Sequence, residues 1–146
     1  MNGTFLKCQS CGVKNRIPVN KQHLKPKCGR CGHMLEPVAG GKVIELDDSS
    51  FDKLIGSSSL PVMVDFYSPS CGPCHMLAPV IETLARQYAG RVVVAKYDTS
   101  RYQMAAARFQ IKGVPTLIFF KQGKTVDQIV GVVPQVDIEQ RLNNLI

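Results

Sequence analysis

The chain has 146 residues, is 45% hydrophobic and 20% charged, and contains six cysteines and no tryptophan. These are ordinary globular values and exclude wholesale disorder. The apolar runs, such as Val92–Ala95 and Leu117–Phe120, are far too short to span a bilayer. The net charge of +7 is uneven: residues 1–40 hold seven Lys and Arg against one acid, Glu36, and the remainder is nearly balanced. Only Phe5 is interleaved among those N-terminal charges, so a solvated basic face is expected rather than a nucleic-acid surface. The start, Met1–Lys7, lacks the apolar stretch and small-residue cleavage site of a secretory signal. A reducing, cytoplasmic setting is expected, in which paired cysteines serve as metal ligands or redox catalysts.

All six cysteines fall in Cys-x-x-Cys pairs. Cys8/Cys11 and Cys28/Cys31 come first, sixteen residues apart, and Gly12 and Gly32 follow the second cysteine of each pair. This spacing predicts a four-thiolate zinc site within a small ribbon. The segment has almost no core of its own, so bound metal would supply its folding energy. Iron in the same sulfur cage, or two disulfides after oxidation, are the alternatives. His23 and His33 are spare donors, but four cysteines already fill a tetrahedron.

Composition shifts at Pro37–Gly41, which predicts a ribbon at 1–38, a linker at 39–42 and a second domain at 43–146. The second part reads as alternating elements. Val43–Leu46 is a short strand. Asp47–Ser50 offers caps for a helix that buries Phe51, Leu54 and Ile55. Val62–Tyr67 is a strand, and a long helix runs from Cys71 to about Tyr88 with Pro79 inside it. Arg91–Tyr97 is a strand, and Asp98–Ser100 is expected to cap a helix reaching about Phe109. Thr116–Phe120 and Thr125–Val130 form a hairpin around Gln122–Gly123, and Pro134 opens a last helix with Ile138, Leu142 and Leu145 on one face. The order βαβαβαββα implies an α/β fold: parallel strands joined by helices, with the closing hairpin as an antiparallel edge.

Cys71-Gly72-Pro73-Cys74 follows a predicted strand and opens a predicted helix. A thiol there faces unpaired backbone N–H groups and the positive end of the helix dipole, which favour thiolate. Cys74 lies one turn on and can close a ring onto Cys71. An exposed nucleophile and a buried resolving thiol are expected. The alternatives are half of a metal site or a structural disulfide.

The stretch Val64–Pro79 resembles the active-site segment of the thioredoxin family, and Gly113-Val114-Pro115-Thr116 resembles its cis-proline loop. The resemblance covers residues 43–146 and implies the thioredoxin fold, a central mixed sheet flanked by helices. It also implies a dithiol–disulfide oxidoreductase that reduces protein disulfides. Cys71 would be the nucleophile, Cys74 the resolving thiol, Asp65 a buried acid that takes the Cys74 proton, and Lys96 the lysine beside it. Ser70, Gly72, Pro73, Val114, cis-Pro115 and Gly131 would line the substrate groove. Residues 1–40 resemble the ribbon of the zinc-containing branch of the family. The implied partners are an NADPH-dependent thioredoxin reductase and oxidised client proteins, and nothing demands more than a monomer. Ser70 departs from the family's tryptophan, Tyr67 stands where another tryptophan is common, and His75 replaces a frequent lysine or arginine. Ser70 and His75 leave a runner-up reading, a more oxidising isomerase-like enzyme. A third is a redox-sensing or binding module centred on the ribbon.

Overall fold

A computed structural model describes residues 3–8, 10–18, 27–32 and 41–146. The sequence boundary at Pro37–Gly41 and the linker lie mostly outside them, as do His23 and His33.

The N-terminal part carries two strands that the sequence pattern did not reveal. β1 (Gly3–Lys7) pairs antiparallel with β2 (Lys14–Pro18), from Gly3 opposite Pro18 to Lys7 opposite Lys14. A lone two-stranded hairpin is marginal in water, and the hydrophobic cluster beside it holds only Cys8, Cys28 and Val13 among the described residues.

The C-terminal part follows the expected order. It runs β3 (Ile44–Leu46), α1 (Asp48–Ser57), β4 (Val62–Tyr67), α2 (Gly72–Gln87), β5 (Val93–Asp98), α3 (Met104–Arg108), β6 (Thr116–Lys121), β7 (Lys124–Val130) and α4 (Gln135–Asn143). The sheet order is β3-β5-β4-β6-β7. β3, β5 and β4 are parallel, whereas β6 runs antiparallel to β4 and β7 antiparallel to β6. The antiparallel part therefore begins one strand earlier than helix alternation implies. Gln122 and Gly123 form the hairpin turn with φ of 52° and 80°, the left-handed pair that matches strand twist in a two-residue loop.

Period-two alternation divides the core between the two faces of the sheet. Val62, Val64 and Phe66 of β4 point to one face, where Phe51, Leu54 and Ile55 of α1 cover them. Phe51 lies within 6.1 Å of the rings of Phe66, Tyr97, Phe109 and Phe120. Met63 points to the other face, under Leu77, Ile81 and Leu84 of α2 and Ile138 and Leu142 of α4. Full burial of a side chain of this size is worth roughly 1.5–3 kcal/mol. Asp65 shares the Met63 face by the same alternation, so a carboxyl is carried beneath the start of α2.

Local capping holds for α1, where Asp47 and Ser50 form a reciprocal capping box. It fails for α3. The Asp98 carboxylate is spent on its own turn, accepting from the backbone N–H and hydroxyl of Ser100. The helix starts only at Met104, and Asp48 of α1 accepts from the N–H groups of Met104 and Ala105. Among the described residues, no helix is long and apolar enough to cross a membrane.

Candidate active site and metal centre

The main site is built where β4 gives way to α2. Tyr67 ends the strand, and Ser68–Cys71 turns back on itself through a bond from the Cys71 N–H to the Ser68 carbonyl, 3.1 Å. Pro69 supplies the fixed φ that suits the second position of such a turn. Cys71 is the N-cap of α2, and its Sγ accepts from the Cys74 N–H at 3.1 Å. Pro73 lies in the first turn, where its missing N–H leaves no bond unmade. Cys71 and Cys74 are joined as a disulfide with Cα atoms 5.2 Å apart. Cys71 is half-buried and Cys74 is buried, while Ser70, Gly72 and Pro73 are open to solvent.

The Val114 carbonyl oxygen lies 3.6 Å from Cys71 Sγ, which brings the second loop to the disulfide. The Val114–Pro115 peptide is cis, as the resemblance implied. Gly131, at φ 90°, donates its N–H to the Pro115 carbonyl at 2.8 Å. Val130 and Val132 on either side of it are exposed large apolar side chains, and so is Met76 on α2. No sequence pattern singled out those three, because an exposed apolar side chain does not read as part of the core.

Asp65 is buried and its Oδ1 has no hydrogen-bond partner. Burial pushes its carboxyl up from the usual 3.8 to about 7, against the opposing pull of Lys96. Lys96 sits directly opposite Asp65 in the β4–β5 register, but its ammonium lies 3.8 Å from Glu45. Below the ordinary carboxylate value, Asp65 is neutral in both folded and unfolded chains. Between that value and about 7, the folded chain keeps a proton that the unfolded chain has released. Asp65 therefore withdraws stability as pH rises through this window, by up to about 4 kcal/mol. Asp65→Asn should gain stability over the wild type in denaturant melts at pH 8, and little of that gain should survive at pH 4. An equal difference at both values would contradict the assignment.

His75, which follows the second cysteine, donates from Nε2 to the Pro69 carbonyl at 2.6 Å. This clamp on the turn before Cys71 was not foreseen from sequence.

The second site lies in the ribbon. Each Cys-x-x-Cys-Gly run closes on itself, with the Gly12 N–H donating to the Cys8 carbonyl and the Gly32 N–H to the Cys28 carbonyl, both at 2.9 Å. Gly12 and Gly32 adopt φ of 78° and 75°, the region glycine enters without strain. All four sulfurs lie within 4.8 Å of one another, with Cys8–Cys31 at 3.5 Å and Cys11–Cys28 at 3.7 Å. A zinc tetrahedron with bonds of about 2.3 Å sets its sulfurs roughly 3.8 Å apart, so the donor set fits. The Cys31 backbone N–H, with help from Asn15 and Arg30, holds the Cys28 thiol down to about 6. Asn15 also accepts from the Gly29 N–H at 3.0 Å and so ties β2 to the second knuckle.

The thioredoxin family model matches residues 42–144, the whole of the five-stranded part. The chain belongs to the thioredoxin family. A second model, described as thioredoxin 2, N-terminal, matches residues 7–33 and spans both knuckles of the ribbon. Thioredoxin C-3 of Corynebacterium nephridii is 37% identical over 93% of this chain and 91% of its own length. Thioredoxin 1 of a Nostoc species is 42% identical over 67% of this chain and 92% of its own. Among solved structures, a mutant thioredoxin from Halobacterium salinarum superposes with a TM-score of 0.67 at 32% identity, over 72% of this chain and 91% of that one. The thioredoxin domain, with its disulfide-forming pair at the head of α2, is a dithiol–disulfide oxidoreductase. The ribbon is a four-cysteine metal-binding module.

Proposed function

We propose that the chain works as a reductant of protein disulfides. In its reduced form Cys71 attacks a client disulfide, one client sulfur leaves as thiolate, and a mixed disulfide forms. Cys74 then gives its proton to Asp65 and attacks Cys71 Sγ. The client departs with both sulfurs reduced and two electrons gained, and Cys71–Cys74 is left oxidised. Thioredoxin reductase, drawing on NADPH, returns the pair to the dithiol state. The observation that carries this reading is the N–H of Cys74 aimed at Cys71 Sγ, together with a buried acid on the preceding strand whose Oδ1 has no hydrogen-bond partner. The N–H stabilises charge on the attacking sulfur, and an acid poised near 7 exchanges protons near neutrality.

Lys96 opposes Asp65 and moderates that acid. Ser70, Gly72, Pro73, Val114, Pro115 and Gly131 form the groove for client backbone. The ribbon, residues 1–38, holds one Zn²⁺ on Cys8, Cys11, Cys28 and Cys31, where it fixes the fold. Residues 39–42 link it to the thioredoxin domain at 43–146. The protein acts in the cytoplasm as a monomer.

The reduction potential of Cys71/Cys74 tests the direction of exchange. It should fall near −270 mV, the reference value for thioredoxins, when the protein is equilibrated with glutathione buffers and its thiols are trapped. A value near −180 mV, that of protein disulfide isomerase, would overturn the reductant reading in favour of an isomerase-like enzyme.

A further inference from the structure

One row of residues runs across three neighbouring strands. Glu45 of β3 faces Lys96 of β5, and Lys96 faces Asp65 of β4. The cation in the middle has a carboxyl on each side, and it can be drawn to either. The Lys96 ammonium lies 3.8 Å from Glu45 Oε1 and 5.6 Å from the Tyr67 ring centre. Asp65, on the other side, keeps an oxygen with no hydrogen-bond partner. Tyr67 donates its hydroxyl to the same Glu45 oxygen at 3.0 Å, which holds that carboxylate over the lysine. A tryptophan at that position would have no hydroxyl to offer.

We propose that Glu45 is a positioning residue: by holding the Lys96 ammonium it keeps that cation off the Asp65 carboxyl, and so sets the pH range in which Asp65 exchanges a proton. Glu45 touches neither sulfur and acts only through Lys96. The groups around Asp65 are few. Lys96 and Asp98 come from β5, Tyr67 from its own strand, Glu45 from β3 and Cys74 from the start of α2, while β6 places Leu117 opposite. Lys96 alone among these is a cation, so a change in its position is felt at Asp65 more than any other.

The link to turnover rests on the reading of Asp65 as acceptor of the Cys74 proton, and the test separates the two. In the oxidised full-length protein, the ¹³C shift of the Asp65 carboxyl is followed against pH. Glu45→Gln should raise its acid dissociation constant roughly 1.5- to 5-fold, the range of a partly exposed ion pair. Lys96→Met should lower it. In the Lys96→Met background, Glu45→Gln should move it less than half as far. No movement in Glu45→Gln, or the same movement with and without Lys96, would overturn the inference. Both side chains are partly exposed, at 61% and 40%, so these variants leave the core intact. The second readout is the pH profile of mixed-disulfide release. A profile that shifts with the Asp65 midpoint supports both readings. A midpoint that moves while the profile stays upholds the role of Glu45 and removes Asp65 from the resolving step.

Discussion

Cys74→Ser should stop the cycle at a covalent adduct with the client, joined through Cys71. On the proposed roles the Cys74 sulfur attacks from one helical turn away, and its own backbone N–H is already bonded to Cys71 Sγ. Well-aligned groups within one molecule reach effective concentrations of about 10⁵ M or more. Removing Cys74 leaves only external thiol to break the adduct, so turnover should fall by at least about a thousandfold. Mass spectrometry should find the adduct, and dithiothreitol should release it. Cys71→Ser should form no adduct at all. Undiminished turnover by Cys74→Ser would remove Cys74 from the resolving step, and an adduct that persists in Cys71→Ser would take the attacking role from Cys71.

Stripping metal from the ribbon should unfold it and leave the thioredoxin domain folded. Structural zinc in small ribbons supplies roughly 10–16 kcal/mol of apparent binding energy at neutral pH. Among the described residues of this segment nothing else approaches that, since the hydrophobic cluster there is two cysteines and one partly buried valine. Wild type should carry one zinc and Cys8→Ser/Cys11→Ser should carry none. Chelator should abolish amide protection in β1 and β2 while the melting of residues 41–146 is unchanged. Equal zinc in the two proteins would refute the site. The fragment lacking residues 1–40 should still exchange disulfides. If the main activity left with the ribbon, the sensing-module reading would replace the reductase.

Much of the fold was legible because its signals are local. β4, α2 and the β6–β7 hairpin announce themselves through apolar runs, three-and-four spacing and a Gln-Gly turn. Cys71 and Cys74 were legible for the same reason, since helix start and motif coincide. Two of the misreadings are long-range. Asp98 looked like a helix cap, but α3 is capped by Asp48, 56 and 57 residues away. β6 looked parallel, yet it runs antiparallel to β4 and hence to β5, because a helix between two strands does not by itself fix their relative direction. β1 and β2, with sequences GTFLK and KNRIP, carry no apolar alternation that would expose them. Glu45 escaped notice because its importance lies in a register, and register is invisible until strands are paired.

The active-site disulfide spans only three positions of sequence separation. A bridge that tight restrains the unfolded chain very little, by about 2 kcal/mol on the chain-entropy model. Typical domains hold 5–15 kcal/mol, and the two hydrophobic layers flanking this sheet are assembled without it. The molecule thus survives the loss of its own cross-link. A staple that held the architecture together could never be opened on every round of work, whereas this one can be cut and remade indefinitely as a tool.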